Sequence, residues 1–163
     1  MVTRHYAPRQ YAFAFTNGMQ ASHVEVDVET GFVKLLRHWC VEDCGTLINP
    51  LLVDEQLRGG IVQGIGAALY EHCLYDEQGQ LLNGNMADYL VPMAGEMPDV
   101  ELAHVVTPTA SSELGAKGAG EAGTAGAPGA VMNAINDALM PFGVRVTDQP
   151  ITPERILRAL GRV

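Results

Sequence analysis

One acid stands alone in a run of small residues. The stretch GAKGAGEAGTAGAPGA, Gly115 to Ala130, sets Glu121 between Gly120 and the pair Ala122-Gly123. The nearest charge in sequence is Lys117, four residues away. Neighbours without bulk leave a carboxylate open to a substrate. Burial makes a carboxylate a stronger base, and a positioned base of that kind takes protons near neutral pH. Enclosure of the loop would give Glu121 that role. The alternative is structural, because an acid just ahead of a helix complements the positive end of its macrodipole. Local chemistry supports both readings equally.

Gly118-Ala119-Gly120-Glu121-Ala122-Gly123 also matches GxGxxG, with a helix after it and Asp148 near the end of the next short strand. Two features oppose a dinucleotide site. Its first glycine follows directly from a buried strand, whereas TPTASSELGAK, residues 107–117, is polar and turn-rich. Its glycines receive a pyrophosphate at a helix N-terminus, and Glu121 facing the ligand would repel that anion. A P-loop fails because no GK[ST] ends the run.

The cysteines are a weaker candidate. Cys40 and Cys44 are spaced CxxxC, with Cys73 apart from them. Structural zinc and two-iron clusters need four ligands. The five histidines form no HxxxH or HExxH pattern. The cysteines therefore read as ordinary core or near-surface thiols, and their sparse, odd count fits a reducing, cytoplasmic setting.

Several elements must position Glu121. In SHVEVDVETGFVKLLRHWCVED, Val24, Val26 and Val28 alternate with His23, Glu25, Asp27 and Glu29. That period of two predicts a hairpin with one wet face, turning at Thr30-Gly31 and resuming from Phe32 to Val41. DCGTLINP reads as a loop. A helix is expected from about Leu51 to Tyr75, and it carries Gly59, Gly60, Gly64 and Gly66. Interior glycine costs about 1 kcal/mol relative to alanine, so something must approach that backbone closely: a neighbouring helix or a flat ligand. Strands are expected at Ala87–Val91, Val100–Val106 and Val144–Thr147. Residues 107–124 read as a loop. A helix over Ala125–Met140 has Val131, Ile135 and Leu139 on one stripe. Thr152 and Pro153 cap and open a last helix with Ile156, Leu157 and Leu160 on its apolar face. These elements make one α+β domain over residues 1–163.

The composition narrows the partners. The chain has 163 residues, 47% of them hydrophobic, with net charge −9 and a pI near 4.8. Such acidity argues against nucleic acid and anionic membrane surfaces. No apolar run approaches the roughly 18 residues that span a bilayer. MVTRHYAPRQYAFAF lacks the apolar core and cleavage site of a signal peptide.

Four ordered blocks carry a family resemblance: VEVDVETGFVKLLRHWCVEDCGTLINP, EQLRGGIVQGIGAALYE, ELGAKGAGEAGTAGAPGAVMNAINDAL and PFGVRVTDQPITPERILRAL. Together they resemble the C-terminal part of the molybdopterin-binding domain of the molybdenum hydroxylases. That family comprises xanthine dehydrogenases, aldehyde oxidases and aerobic carbon monoxide dehydrogenase large subunits. The likeness is greatest to the bacterial carbon monoxide dehydrogenase-like subunits.

The resemblance implies roles residue by residue. Glu121 matches the active-site base of the family's KGxGE motif, and Lys117, Gly118 and Gly120 match the cofactor side of it. Gln56 matches a glutamine that lies against the cofactor, although Glu55 stands where the family usually has glycine. Gln63 and Gly64 match the motif that packs the same site. No residue is implied as a direct metal ligand. The implied cofactor is molybdenum–molybdopterin, with the cytosine dinucleotide form as one option. Iron–sulfur (2Fe-2S) and FAD groups are implied on partner subunits or domains.

The implied reaction is oxidation of an aldehyde, an aromatic heterocycle or carbon monoxide with a water-derived oxygen. The chain would act as part of a larger assembly, completed by the rest of the molybdenum-binding subunit, and would be inactive alone. The competing reading is a truncated or structural domain of the same family without catalysis. An orphaned half-site should leave an apolar or glycine-lined face bare, and that face is expected around Gly59 to Gly66.

Overall fold

The alternation of valines and acids forms the predicted hairpin. A computed structural model describes residues 1–5 and 14–163. Residues 6–13, within the stretch read for a signal peptide, lie outside the described residues. Strand β1, Asn17–Val26, pairs antiparallel with β2, Val33–Asp43, with a bulge between His23 and Val24. Val24, Val26 and Val28 are half-buried, while His23, Glu25, Asp27 and Glu29 are exposed. Gly31 closes the turn at φ +76°, and its N–H donates to the Asp27 carbonyl at 2.7 Å. Strand β3, Val100–His104, lies parallel to β2, giving the order β1-β2-β3. It ends two residues before the predicted limit, although Val105 N–H still donates to the Glu42 carbonyl at 3.0 Å.

Helix α1, Pro50–Leu69, fills the crossover between β2 and β3. The Asn49 side chain caps it by accepting from Leu52 N–H at 3.3 Å, and Pro50 opens the first turn. The helix stops six residues before the expected Tyr75. Both Tyr70 and Glu71 N–H groups turn back to the Gly66 carbonyl. The chain beyond then pairs with 81–83 instead: Leu74 N–H donates to Asn83 Oδ1 at 2.9 Å, and Leu82 N–H to the Leu74 carbonyl at 2.8 Å.

Helix α2, Ala122–Leu139, begins three residues earlier than its hydrophobic stripe suggests. Its first turn is held by α1. A methyl at position 123 would stand 2.4 Å from the Leu57 carbonyl oxygen, and one at position 64 would stand 2.8 Å from Ala127 Cβ. Position 60 is nearly as tight, at 3.1 Å from Thr124 N. Pro128 sits inside α2 and cannot donate to the Thr124 carbonyl; that carbonyl lies against Gly64. The helix glycines therefore serve helix–helix contact. The bare glycine-lined face expected around Gly59 to Gly66 is not there, because α2 covers Gly60 and Gly64, and Glu71 and Pro92 cover Gly66. Among those four only Gly59 is open.

The stripe Val131, Ile135 and Leu139 is buried as the period predicts. It packs with Ile61, Ile65 and Ala68 of α1, Leu35 and Cys40 of β2, and Ile151 and Ile156. Helix α3, Pro153–Ala159, is capped by Thr152 Oγ1, which accepts from Arg155 N–H at 3.3 Å.

Two predicted strands are absent from the described residues. At Ala87–Val91 the Asn85 side chain takes the Ala87 N–H at 2.8 Å and the Asn85 carbonyl takes the Tyr89 N–H at 2.9 Å, so the segment turns. At Val144–Thr147 Asn136 of α2 stands where a strand neighbour would. It donates to the Val146 carbonyl and accepts from its N–H, at 2.9 and 2.8 Å. A side-chain amide thus meets the needs of that backbone. The α+β class holds.

A matched pair of variants tests this packing. Gly123→Ala should destabilise by about 1–3 kcal/mol through overpacking against backbone. Gly59→Ala, with open space around it, should stabilise by about 0.5–1 kcal/mol. Urea midpoints measured side by side check both signs.

Candidate functional site

The loop ahead of Glu121 is tied to the end of β2. Lys117 Nζ donates to Asp43 Oδ2 at 2.9 Å, with the two side chains only 12% and 7% exposed. Asp43 Oδ1 also accepts the N–H groups of Gly45 (2.9 Å) and Thr107 (3.1 Å). Lys117 first, then these amides, hold the Asp43 carboxyl well below the usual carboxylate range. Backbone bonds repeat the tie: Lys117 N–H donates to the Cys44 carbonyl at 2.9 Å and Thr46 N–H to the Gly115 carbonyl at 3.1 Å. Lys117 therefore faces Asp43, not the open side of the loop. Asp43 is a residue that motif reading passed over, since an acid in a strand carries no signal of its distant partner.

Glu121 occupies the N-cap position of α2, and its side chain makes no capping hydrogen bond. It is exposed and lines a cleft of about 540 Å³. The described residues do not enclose it. The cleft walls come from residues 14–20 on one side and Gly118 to Gly126 on the other. Among the described residues, nothing lies within 4 Å of where a side chain would begin at Gly118 or Gly120. These two differ in kind from the helix glycines: among the described residues nothing packs on them, and both are exposed.

Gln56, on α1, donates from Nε2 to the Gly120 carbonyl at 2.8 Å. Its amide oxygen makes no hydrogen bond among the described residues. Gln63 Oε1 accepts from Thr124 Oγ1 at 3.2 Å, further along the same helix contact, and Gly64 lies buried beneath it. Glu121, Gln56, Gly118 and Gly120 thus gather at one place, while Lys117, Gln63 and Gly64 support it from behind. Also in the cleft wall is Glu42, buried, whose Oε1 accepts from Thr16 Oγ1 at 2.6 Å.

The dinucleotide pattern has no strand to follow. β3 ends at His104, thirteen residues of loop precede Gly118, and Gly123 is packed on α1. Asp148 follows no strand. All three cysteines are free, Cys40 and Cys44 buried and Cys73 exposed. Burial, then the Glu42 charge, pushes the Cys40 thiol up to about 12, so it is inert. Among the described residues no group of three His, Cys, Asp or Glu side chains could hold a metal ion, and no helix is long and apolar enough to cross a membrane.

The comparisons with known proteins say which family the chain belongs to. The profile described as "Molybdopterin cofactor-binding domain" matches residues 2–98. The chain belongs to this family, that of the molybdenum hydroxylases. It is 48% identical over 145 residues to the nicotine 6-hydroxylase large subunit of Paenarthrobacter nicotinovorans, covering 89% of this chain and 18% of that protein. It is 35% identical over 156 residues to the carbon monoxide dehydrogenase large chain of Hydrogenophaga pseudoflava, covering 96% and 19%. Quinoline 2-oxidoreductase from Pseudomonas putida 86 superposes with a TM-score of 0.82 and 44% identity, over 85% of this chain and 18% of that one. The chain thus spans about a fifth of the length of these relatives.

Beneath the site, β2 carries His38, fully buried. Burial lowers its pKa to about 4 from an ordinary 6.5. The unfolded chain therefore binds the proton more readily, and stability is lost as pH falls from about 6.5 toward 4. This one group should remove on the order of 3 kcal/mol across that window. Urea unfolding followed over the same pH range should show the slope, and His38→Gln should flatten it.

Proposed function

We propose that this chain contributes the general base of a molybdenum-dependent hydroxylase, with Glu121 in that role. The observation that carries the reading is the Glu121 side chain: at a helix N-cap, making no capping bond, and open to a cleft. A structural acid at that position would be engaged with the helix amides. Gln56 and the backbone of Gly118 and Gly120 receive the cofactor face, with Lys117, Gln63 and Gly64 holding that face in shape.

Molybdenum–molybdopterin, in its plain or cytosine dinucleotide form, would when bound supply the two-electron oxidation and a water-derived oxygen of lowered pKa. Glu121 would act as the base that takes the proton from that oxygen. The small residues around it, Gly120, Ala122 and Ala125, leave room for a flat substrate beside the carboxylate. Substrates of the class are aldehydes, aromatic heterocycles and carbon monoxide. An aromatic nitrogen heterocycle is favoured, because the relatives at 48% and 44% identity are named for nicotine and quinoline.

The remaining parts lie on partners: the rest of the molybdenum-binding subunit, and iron–sulfur and FAD subunits or domains. Exposed apolar groups support such an assembly. On the sheet face away from α2, Met19 pairs with Val41 across β1 and β2, and Val105 follows β3; they are 77%, 41% and 53% exposed. Patches of this kind mark interfaces. The isolated chain has no enclosed site among its described residues and is inactive alone. Its free thiols suit a cytoplasmic setting.

In the assembled enzyme, Glu121→Gln should lower turnover on the order of 10²–10⁴-fold, the usual worth of a general base, with molybdenum content unchanged. Near-normal turnover would remove the assigned role and favour the non-catalytic reading. Gln56→Ala should lower molybdenum occupancy of purified enzyme more than it lowers the unfolding midpoint; full occupancy would reject its place against the cofactor.

A further inference from the structure

Glu121 is flanked by two backbone carbonyls, and each is held by a glutamine from a different element. Gln56 of α1 holds the Gly120 carbonyl at 2.8 Å. Gln20 of β1 donates from Nε2 to the Gly123 carbonyl at 2.9 Å. Gln20 is held in turn. Its Oε1 lies 3.0 Å from His38 Nε2, and His38 Nδ1 lies 2.9 Å from Ser22 Oγ.

The directions of these bonds follow from one fact. The Gly123 carbonyl can only accept, so the NH₂ of Gln20 must face it and the oxygen must face His38. His38 Nε2 then carries the proton, and Nδ1 accepts from the Ser22 hydroxyl. Every donor points the same way, from Ser22 through His38 and Gln20 to the first turn of α2. A neutral imidazole satisfies this arrangement, and the burial of His38 keeps it neutral. Space is set aside for it as well: a methyl at position 126 would stand 3.0 Å from Gln20 Cδ and Nε2, so Gly126 seats the amide.

We propose that Gln20, aligned by His38 and Ser22, is a positioning residue that fixes where Glu121 presents its carboxylate. Gln56 and Gln20 grip the chain on both sides of Glu121. Position decides the rate of a proton transfer, because a displacement of about 1 Å costs up to about a hundredfold. Without the second grip the carboxylate samples several positions. The role rests on Glu121 being the base, but the grip itself does not.

The test uses the assembled, cofactor-loaded enzyme with Gln20→Met, which keeps length and bulk and removes both hydrogen bonds. Two quantities are read: hydrogen–deuterium exchange in the 118–126 segment, and kcat with KM. Exchange should rise roughly tenfold. kcat should fall about ten- to a hundredfold with KM, molybdenum content and unfolding midpoint little changed. Gln20→Glu restores an acceptor for His38 but not the donor for Gly123, and should not rescue kcat. Should Gln20→Met fail to fold, Gly126→Val displaces the amide from an exposed helix position and should give the same pattern.

Unchanged exchange would overturn the grip. Raised exchange with normal kcat, in an enzyme that Glu121→Gln inactivates, would overturn the positioning role. If Glu121→Gln retains turnover while exchange in Gln20→Met rises, the base assignment fails, the positioning of a catalytic group is overturned, and the grip stands as loop anchoring alone.

Discussion

The contact between Gly123 and the Leu57 carbonyl sets most of the geometry of the site. Two helix backbones meet there with no room for a methyl group, which brings the first turn of α2 onto the middle of α1. That approach brings Gln56 within reach of the Gly120 carbonyl and Thr124 within reach of Gln63. It also starts α2 at Ala122, which makes Glu121 the N-cap.

Charge is arranged around the same point with few parts. The chain is acidic overall, yet the glycine loop is anchored by a nearly buried lysine on a nearly buried aspartate. A pair of this kind gives little net stability, since desolvation offsets attraction, but losing one partner is costly. Its use here is positional. Lys117 ties the loop to the end of β2, while Glu121, four residues on, lines the cleft. The two charges of the loop are kept apart by having Lys117 face inward and Glu121 face the cleft.

The glycines divide by purpose. Gly60, Gly64 and Gly123 are required by backbone contact, and Gly31 by a left-handed turn. Gly118 and Gly120 meet neither condition. They line one cleft with Glu121.

Periodicity revealed the hairpin and the buried stripe of α2, because burial of one face imposes a period on the sequence, and Thr152 with Pro153 announced the final helix. The ordered motifs marked Glu121 and Gln56 as candidates through their resemblance to a known family. Helix ends were less legible. α1 stops at Leu69 because its next residues find partners at 81–83, and nothing local announces that. The segment at Val144–Thr147 has the composition of a strand, but its hydrogen bonds are met by Asn136. What the sequence by itself determined is which residues can bury, turn, cap or take a proton, since those are properties of side chains and their neighbours. Only the tertiary structure decided which glycines pack and which stay open, that Lys117 faces Asp43, and that Gln20 and His38 reach the first turn of α2. Those depend on distances between residues up to 103 positions apart, which no local pattern encodes.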